Sequence, residues 1–581
     1  MSYVPPVGAL SEALEVVGLG EILELPPFGH VDRSTVESLL SEFARFAAEV
    51  IVPTDRIGDV QGAVLDPETG RVTVPGEFAD VYRRYVAGGW GGLTFATAHG
   101  GGGVPRAVGL ALQEMFASSN LALSLNPVLT QSAAEVIAEW GSDSQRARLL
   151  PKLLTGEWSG TMVLTEPDAG SDVGALRTRA VEAADGTWRI SGTKIFITWG
   201  AHGMAGNIVH MVLARTAGEP GGTSGLSLFA VPRTLPDGSA NRLRAVGLEH
   251  KLGIRASPTC VMAYEEAAGE LVGPLGGGMQ AMFTMMNMAR VAIGVQGLAV
   301  GEAALQQARA YAMERRQGHA GSGGAGPSSP IIEHPDVRRM LAEMQAVTSA
   351  ARLILYATGA AQDTAANHPS AERRASGASL VALLTPIAKA WCTDRGVDVA
   401  SAAIQVHGGL GYMEESGMPQ RLRDVRIAPI YEGTNGIQAK DLVLRKVAAD
   451  QGSAMHGLIE RIRGTVGRLA SAPSGLPCAG DALTAATAAL EECTRWIVER
   501  APAARDDVLA GSAAYLELCG TVVGGWLLAR RALMAMEGAG TSDPDRALCD
   551  LEAFAVTRLS RAPSLVVPVT AGMAYLRRYR P

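Results

Sequence analysis

The chain has 581 residues, of which 47% are hydrophobic and 19% charged, enough for about three or four globular domains. Its formal net charge of −7 argues against a nucleic-acid partner, because phosphate backbones are held mainly by clustered Lys and Arg. The N-terminus lacks a secretory signal, and the late apolar stretch 521–529 is far shorter than the ~20 residues that cross a bilayer. We therefore expect a cytoplasmic protein without integral membrane contact.

The first half of the chain changes from a helical to a strand pattern near residue 161. Apolar residues recur at three- and four-residue steps over 34–51 and 108–140, which predicts helices. Beyond residue 161, Asp185-Gly186 predicts a hairpin turn. The predicted strands are 188–190, 194–198, 208–214, 226–231 and 259–264. We predict a helical domain over 1–160 and a β domain over 161–278.

The helical period returns at residue 279. It continues through 282–316, 335–363, 375–406 and 437–447, which predicts a four-helix bundle over 279–447. Gly, Ser and Pro dominate residues 318–330, which indicates a mobile surface loop. A second such cluster at 471–477 is followed by helical sequence to about residue 566. Residues 448–581 are therefore predicted to form an additional helical domain.

The cysteines suggest neither a metal site nor a disulfide framework. They show no C-x-x-C spacing and no paired histidine spacing. We expect buried thiols in a reducing cytoplasm. The six are Cys260, Cys392, Cys478, Cys493, Cys519 and Cys549.

Motifs in the second and third quarters of the chain point to a family. Leu164-Thr165-Glu166-Pro167-Asp168-Ala169-Gly170-Ser171-Asp172 comes first, Gln405-Val406-His407-Gly408-Gly409-Leu410-Gly411-Tyr412 follows, and Tyr431-Glu432-Gly433-Thr434 comes last. Any one of them alone is compatible with an ordinary Gly-rich turn. In this order they resemble the acyl-CoA dehydrogenase family of flavoenzymes. The resemblance covers about residues 30–447, and segments 250–254, 259–262 and 283–287 look most like the subgroup that includes 3-methylmercaptopropionyl-CoA dehydrogenases.

The resemblance implies a fold that is mainly α with a central β domain. A helical N-terminal domain, a β-barrel-like middle domain and a C-terminal four-helix bundle would be followed by the extra helical domain of the longer members. It also implies the cofactor FAD, an acyl-CoA substrate that becomes the trans-2-enoyl-CoA, and an electron-transfer flavoprotein as electron acceptor.

Glu432 is the candidate catalytic base. Dehydrogenation of a thioester needs a base for the α proton and an acceptor for the β hydride, and the base must be desolvated enough to have a raised pKa. In the resembling family the glutamate of this turn is that base. Some members instead place it before an arginine on the first bundle helix, where this chain has Ala289. Alanine cannot act as a base, which leaves Glu432.

The resemblance also assigns binding residues. For the substrate these are Ser171, Asn287, Arg290 and Gly433, although Asn287 and Arg290 are also compatible with a polar cap and a surface arginine. For FAD they are Met162, Leu164, Thr165, Phe196, Thr198, Arg315, Gln405, Gly409 and Thr434. Phe196 replaces the usual tryptophan but keeps a flat face for stacking. Arg315, or its neighbour Arg316, corresponds to an arginine that reaches the FAD of a neighbouring subunit, so a homo-oligomer is expected, a dimer in preference to a tetramer.

Other functions remain open on sequence alone. An acyl-CoA oxidase would use the same residues and differ in letting oxygen reach the flavin. A non-catalytic flavin-containing relative that protects DNA would call for a basic C-terminal domain, whereas residues 448–581 hold 14 Arg and no Lys against 14 Asp plus Glu. An esterase is disfavoured because no G-x-S-x-G follows His99-Gly100-Gly101-Gly102, and a Rossmann domain because no G-x-G-x-x-G follows a convincing strand.

Overall fold

The computed structural model describes residues 3–218, 220–320, 328–471, 476–538 and 543–579. It contains two compact units. One comprises Met1–Phe46, Pro105–Ser118 and Arg290–Pro581, and the other comprises Ala47–Val104 and Ser119–Ala289. Most of the two predicted Gly, Ser and Pro loops, residues 321–327 and 472–475, lies outside the described residues. The division into four sequential domains stays a prediction.

The helices before the main sheet follow the predicted period. They are α1 (Val7–Val16), α2 (Leu19–Leu23), α3 (Arg33–Phe46), α4 (Asp55–Gln61), α5 (Gly76–Ala87), α6 (Arg106–Ser119), α7 (Leu121–Trp140) and α8 (Asp143–Thr155). The predicted helical run 108–140 is two helices, because Asn120 is extended and its side chain accepts the Leu123 N–H to cap α7. A capping box between Ser142 and Gln145 starts α8.

The second unit is built around a sheet that closes on itself. Its strands are β3 (Trp158–Val163), β4 (Arg179–Glu182), β5 (Trp188–Thr198), β6 (Asn207–Thr216), β7 (Leu226–Pro232), β8 (Leu243–Leu248) and β9 (Thr259–Val272), after a small hairpin of β1 (Val64–Leu65) and β2 (Val72–Thr73). Pairing runs β6-β4-β5-β9-β7 and returns to β6, with β3 parallel to β6 and β8 beside β9. This closed path confirms the barrel-like β domain.

Strand β5 differs from the prediction. Residues 188–190 and 194–198 were expected as separate strands, but they form one strand that pairs with β9 across two register shifts. The shifts lie between Ile190 and Ser191 and between Lys194 and Ile197. They let the strand continue through Gly192 and turn its last residues relative to the first. The predicted hairpin at Asp185-Gly186 is confirmed, since β4 and β5 pair on either side of it.

Two long helices of the bundle meet backbone to backbone. The bundle contains α9 (Gly278–Glu314), α10 (Pro335–Asn367), α11 (Ala371–His407), α12 (Met418–Val425) and α13 (Asn435–Asp441). A Cβ at Gly396 of α11 would lie 2.3 Å from the carbonyl oxygen of Gly297 on α9. Only glycine fits such a contact. The crossing holds α11 close to α9. Both helices contact the segment that carries Glu432, α9 through Gln296 and α11 through Lys389.

A fully buried ion cluster ties α6, α9 and α10 together. Nη2 of Arg352 lies 2.6 Å from Oε1 of Glu114 and 2.7 Å from Oε2 of Glu302. The hydroxyl of Tyr356 donates to the other Glu114 oxygen at 2.7 Å. Because charges taken out of water must be paired, removing Arg352 would leave two carboxylates buried without compensation.

The additional C-terminal helices belong to the same unit as the bundle. They are α14 (Ser453–Ala470), α15 (Pro477–Arg500), α16 (Arg505–Met536), α17 (Pro544–Thr557) and α18 (Val566–Thr570). Arg531 on α16 is buried between two carboxylates, with Nε 2.8 Å from Glu12 of α1 and Nη1 2.6 Å from Asp550 of α17. The first helix of the chain is thus bound to the last domain through a shared guanidinium group.

Three helices of the described chain are long and apolar enough to cross a membrane by length and composition: Gly278–Glu314, Ala371–Tyr412 and Arg505–Met536. The stretch 521–529, which was expected to be too short, lies inside the last of these. Their most apolar windows are 94%, 61% and 72% buried within the protein. Helices that are apolar on most sides are typical of the core of a large bundle.

The prediction that all cysteines are buried was partly wrong. Cys260, Cys392, Cys493 and Cys519 are buried, but Cys478 and Cys549 are exposed, and all six are free thiols. The two exceptions lie on the solvent-facing sides of α15 and α17, where the helical period places one residue per turn outside the core.

Candidate active site

The turn that carries Glu432 has a strained backbone. Glu432 has a φ of 54° and Gly433 a φ of 82°, so both adopt the left-handed conformation that side chains disfavour. A Cβ at Gly433 would also lie 2.9 Å from Nε2 of Gln438. Strain at a non-glycine residue persists only where the surroundings hold it, and such residues cluster at functional sites.

Asn435, directly after the turn, fastens it to α11. Its side-chain nitrogen donates to the Ala390 carbonyl at 3.1 Å, to Oγ1 of Thr393 at 3.0 Å and to Oδ1 of Asp394 at 2.8 Å. Its side-chain oxygen accepts from Nζ of Lys389 at 2.8 Å. One amide therefore has partners for both its oxygen and its nitrogen, and these partners fix the position of the preceding residues.

On its other side the turn is bonded to α9, and its last residues are bonded to the first turn of α13. The hydroxyl of Tyr431 donates to Oε1 of Gln296. Nε2 of Gln438 donates to the Gly433 carbonyl at 3.3 Å. The hydroxyl of Thr434 accepts the N–H of Ile437 and caps α13, so this predicted FAD-binding side chain also has a structural role.

The carboxyl group of Glu432 has a pKa close to neutral pH. The residue keeps some exposed surface, but Oε1 is buried and has no hydrogen-bond partner among the described residues. Burial raises the pKa of Glu432 to about 7, against the opposing charges of Arg290 and Lys389. Burial likewise lowers the pKa of Lys389 to about 7, although Asp394 and Glu432 oppose it. A raised pKa and an oxygen that is available to accept a proton are what a general base requires.

Arg290 is not the surface arginine that the alternative interpretation required. It is 7% exposed, and its charge favours the ionised form of Glu432. Asn287, one turn earlier on the same helix, is exposed. Of the predicted substrate residues in the first unit, Arg290 and Gly433 therefore accompany Glu432.

Three predicted cofactor residues share one end of the bundle. Tyr311 in the last turn of α9 stacks on His407 at the end of α11, with ring centroids 4.4 Å apart. This contact brings Arg315, just beyond α9, to the same end as Gln405 and Gly409. All three are exposed. Arg315 and its neighbour Arg316 have no carboxylate within 4.0 Å in the described part of the chain.

The second unit brings together the predicted isoalloxazine-binding segments. The Ile195 N–H donates to the Thr165 carbonyl at 2.9 Å, and Oγ1 of Thr161 donates to the Thr198 carbonyl at 2.7 Å. The end of β3, with the predicted Met162, and the residues that follow it, with Leu164 and Thr165, therefore lie beside the end of β5, which carries Phe196 and Thr198. Ser171, predicted to bind substrate, is exposed in the loop that follows.

Phe196 stands out within this group. Its side chain is 56% exposed and its φ is 58°. Residues held on a strained backbone cluster at functional sites, and this one presents a flat ring beside the segments predicted to bind the isoalloxazine. This arrangement fits a flat aromatic cofactor stacked on the ring.

A buried ion pair supports the same segments. Nζ of Lys194 lies 2.9 Å from Oε1 of Glu166 and donates to the Leu164 carbonyl at 2.9 Å. Glu166 also accepts the backbone N–H groups of Arg177 and Thr178 at 2.7 and 3.0 Å. Burial would raise the pKa of Glu166, but Lys194 and these donors lower it. The pair holds the end of β5 against the residues that follow β3.

The sequence did not reveal the supporting residues. Lys389, Gln296 and Lys194 contact residues 46, 135 and 30 positions away along the chain. Their only local signal is a charged or amide side chain within an apolar stretch. Such residues are expensive to bury without a partner, which could have marked them.

Four family models match consecutive parts of the chain. Residues 35–157 match the family described as acyl-CoA dehydrogenase, N-terminal domain; residues 161–267 match the middle domain and residues 276–447 the C-terminal domain of the same enzymes. Residues 458–562 match the family described as acetyl-CoA dehydrogenase C-terminal like.

Individual relatives extend over nearly the whole chain. The chain is 44% identical over 541 residues to the 3-methylmercaptopropionyl-CoA dehydrogenase of Ruegeria pomeroyi, covering 92% of each. It is 33% identical over 566 residues to the broad-specificity linear acyl-CoA dehydrogenase FadE5 of Mycobacterium tuberculosis, covering 92% of this chain and 90% of that one. The fold is shared with an acyl-CoA dehydrogenase from Bacillus anthracis solved in complex with FAD, at a TM-score of 0.77 and 21% identity over 96% of this chain and 91% of that one.

Proposed function

The chain belongs to the acyl-CoA dehydrogenase family, and from that premise we propose that it oxidises an acyl-CoA thioester to the trans-2-enoyl-CoA with FAD as cofactor. The observation that carries the proposal is Glu432, whose Oε1 is buried without a hydrogen-bond partner in the described part of the chain. The pKa of this carboxyl group is about 7, and it lies on a strained turn fastened from both sides. That is the protonation state and rigidity that removal of a weakly acidic carbon-bound proton requires.

The residues divide the reaction between them. Glu432 removes the α proton, and Lys389 and Arg290 stabilise the charge that this carboxylate carries before the transfer. The second unit would hold the cofactor, through Phe196 on its flat face and through Met162, Leu164, Thr165 and Thr198. When bound, FAD supplies the acceptor for the β hydride, so that the carbon–carbon double bond forms as both hydrogens leave. Ser171, Asn287 and Gly433 are proposed to contact the thioester side of the substrate.

The exposed residues at the end of the bundle support an oligomer. Arg315, Gln405 and Gly409 lie together, and the guanidinium group has no acidic partner of its own in the described chain. A guanidinium group in that state suits a pyrophosphate. We propose that these residues bind the FAD of a second subunit in a homodimer. The free thiols are in keeping with a cytoplasmic location.

The substrate is proposed from the relatives. The R. pomeroyi relative is named for 3-methylmercaptopropionyl-CoA, which makes that thioester the first to test, and the M. tuberculosis relative is named for broad activity on linear chains. We propose a role in fatty acid metabolism, with an electron-transfer flavoprotein as the electron acceptor.

The test is a panel of acyl-CoAs of varied length and branching. Purified protein should be yellow, and anaerobic addition of a substrate should bleach the colour. Turnover is then measured with an artificial electron acceptor and, separately, with oxygen. Faster turnover with oxygen than with the artificial acceptor would show that the protein is an acyl-CoA oxidase and not a dehydrogenase. A protein that binds no flavin, or whose colour no acyl-CoA changes, would refute the proposal.

A further inference from the structure

A cavity of about 800 Å³ lies between the N-terminal helices, the bundle and the C-terminal extension. Its walls come from residues 17–25, the second half of α10, the start of α11, and helices α14 and α16. All of these belong to one compact unit. Its volume falls within the range of small-molecule sites, roughly 300–1,000 Å³. None of the residues assigned above to the base, the substrate or FAD lines it.

The floor of the cavity is apolar. Ile22, Leu384, Trp526 and Leu527 line it and are each less than 7% exposed. The indole N–H of Trp526 is already satisfied by Oγ1 of Thr465 at 2.9 Å, so the ring offers the cavity its apolar face. A hydrocarbon chain placed against this floor would leave water at little cost.

Basic groups surround the floor. Arg373, Arg461 and Arg530 line the cavity, and none of them has a carboxylate within 4.0 Å in the described part of the chain. Arg530 lies 5.6 Å from the centre of the Trp526 ring. Burial lowers the pKa of Arg530, Glu21 opposes this effect, and the charge of Arg461 adds to it. Guanidinium groups that repel one another around a cleft favour an anion between them.

The acidic groups in the wall do not cancel this charge. Glu21 and Glu24 line the cavity against the three arginines, and His368 is also present. The charged residues that line the cavity therefore have a net charge of +1 when His368 is neutral. Arg461 uses one nitrogen to donate to Oγ of Ser376 at 2.7 Å, which orients its guanidinium group and leaves its other donors available.

We propose that this cavity binds an amphipathic anion, with a carboxylate or phosphate head group held by Arg373, Arg461 and Arg530 and a hydrocarbon chain on the apolar floor. The guanidinium fork matches the oxygens of either head group. This site is separate from the dehydrogenase site and does not depend on the proposed function.

Calorimetric titration of the full-length, FAD-loaded protein tests the proposal. Decanoate carries the carboxylate head group and decyl phosphate the phosphate head group. The one that binds more tightly identifies the head group that the cavity prefers. Decanol lacks the charge, decyltrimethylammonium reverses it, and inorganic phosphate lacks the chain. We expect at least one of the two anions to bind at least tenfold more tightly than each of these three controls. Equal binding of decanol would reduce the site to an apolar cleft and overturn the proposal.

Two variants locate the binding. Arg530→Met removes a head-group donor at nearly constant volume, and Ala357→Phe fills the cavity from α10 without changing charge. Each should weaken anion binding roughly tenfold or more. Arg463→Met is the matched control, because Arg463 is on α14 but pairs with Glu460 and Glu491 outside the cavity. Unchanged anion affinity in both Arg530→Met and Ala357→Phe, with unchanged Tm, would place the binding elsewhere and refute the site.

Discussion

Replacement of Glu432 by Gln tests the proposed base in both activity and stability. Oε1 of Glu432 is buried and has no hydrogen-bond partner among the described residues, and the pKa of Glu432 is raised from 4.5 to about 7. With one pKa unit worth 1.36 kcal/mol, the shift corresponds to about 3 kcal/mol. This energy is the penalty for ionising the side chain in the folded protein relative to the unfolded chain.

The sign of the stability effect follows from the raised pKa. Glu432 contributes to the free energy of unfolding through its protonated form. This stabilisation is fully present below the pKa that the side chain has in the unfolded chain, declines as pH rises and is lost above about pH 7. Gln cannot ionise, so it avoids that loss. Relative to the parent, Glu432→Gln should gain about 2–3 kcal/mol between pH 5 and pH 8, seen as a rising difference in Tm at equal scan rate. Glu415→Gln makes the same chemical change at an exposed position and should show no such trend.

The activity of the same variant tests the chemistry. FAD and substrate should still bind, while turnover falls by several orders of magnitude, of which general base catalysis alone accounts for roughly 10²- to 10⁴-fold. In the parent, kcat/KM should fall about tenfold per pH unit below pH 7, because only the ionised carboxylate accepts the proton. Near-normal turnover of the Gln variant, or a flat profile from pH 6 to pH 8, would refute the assignment.

Other substitutions test buried contacts of the bundle and of the site. Arg352→Met leaves two buried carboxylates unpaired and should cost about 3–5 kcal/mol, measured as a Tm well below that of Arg352→Lys; equal values would show that the charge is dispensable. Lys389→Met removes the hydrogen bond to Asn435 and a positive charge near the base, so the acid limb of kcat/KM should move to higher pH. A profile superimposable on the parent would contradict that role. Gly297→Ala places a Cβ 2.6 Å from a carbonyl of α11 and should cost about 1–3 kcal/mol, whereas Gly457→Ala, with open space, should not lower Tm. Equal Tm values for the two would disprove the close contact.

Periodicity was sufficient for the long elements. Helices α9, α10 and α11 and strands β6 and β7 lie close to where the apolar spacing predicted them, whereas β9 begins as predicted at Thr259 but continues to Val272 instead of ending at 264. The break at Asn120 was missed, since one capping side chain interrupts a pattern that is otherwise continuous. Strand β5 was predicted as two strands, 188–190 and 194–198, whereas the sheet accommodates the residues between them through shifts of register.

The candidate site was predictable only where its residues are adjacent in sequence. Glu432, Gly433 and Thr434 form one motif, and the structure adds the strain and the buried oxygen that a motif cannot show. Lys389 and Gln296 were not predicted, because their contacts to the turn depend on how α9 and α11 cross. The roles of the remaining predicted residues stay predictions.

The guanidinium group of Arg531, which pairs with both Glu12 and Asp550, has a consequence for biosynthesis. Glu12 and Arg531 are 519 positions apart, so at a synthesis rate of about 5–20 residues per second the first helix waits roughly half a minute or more for its partner. Until then its carboxylate must stay hydrated and α1 cannot be buried in its final position. A chain whose synthesis stops before residue 531 therefore lacks the guanidinium group that pairs with Glu12, although α1 was made long before.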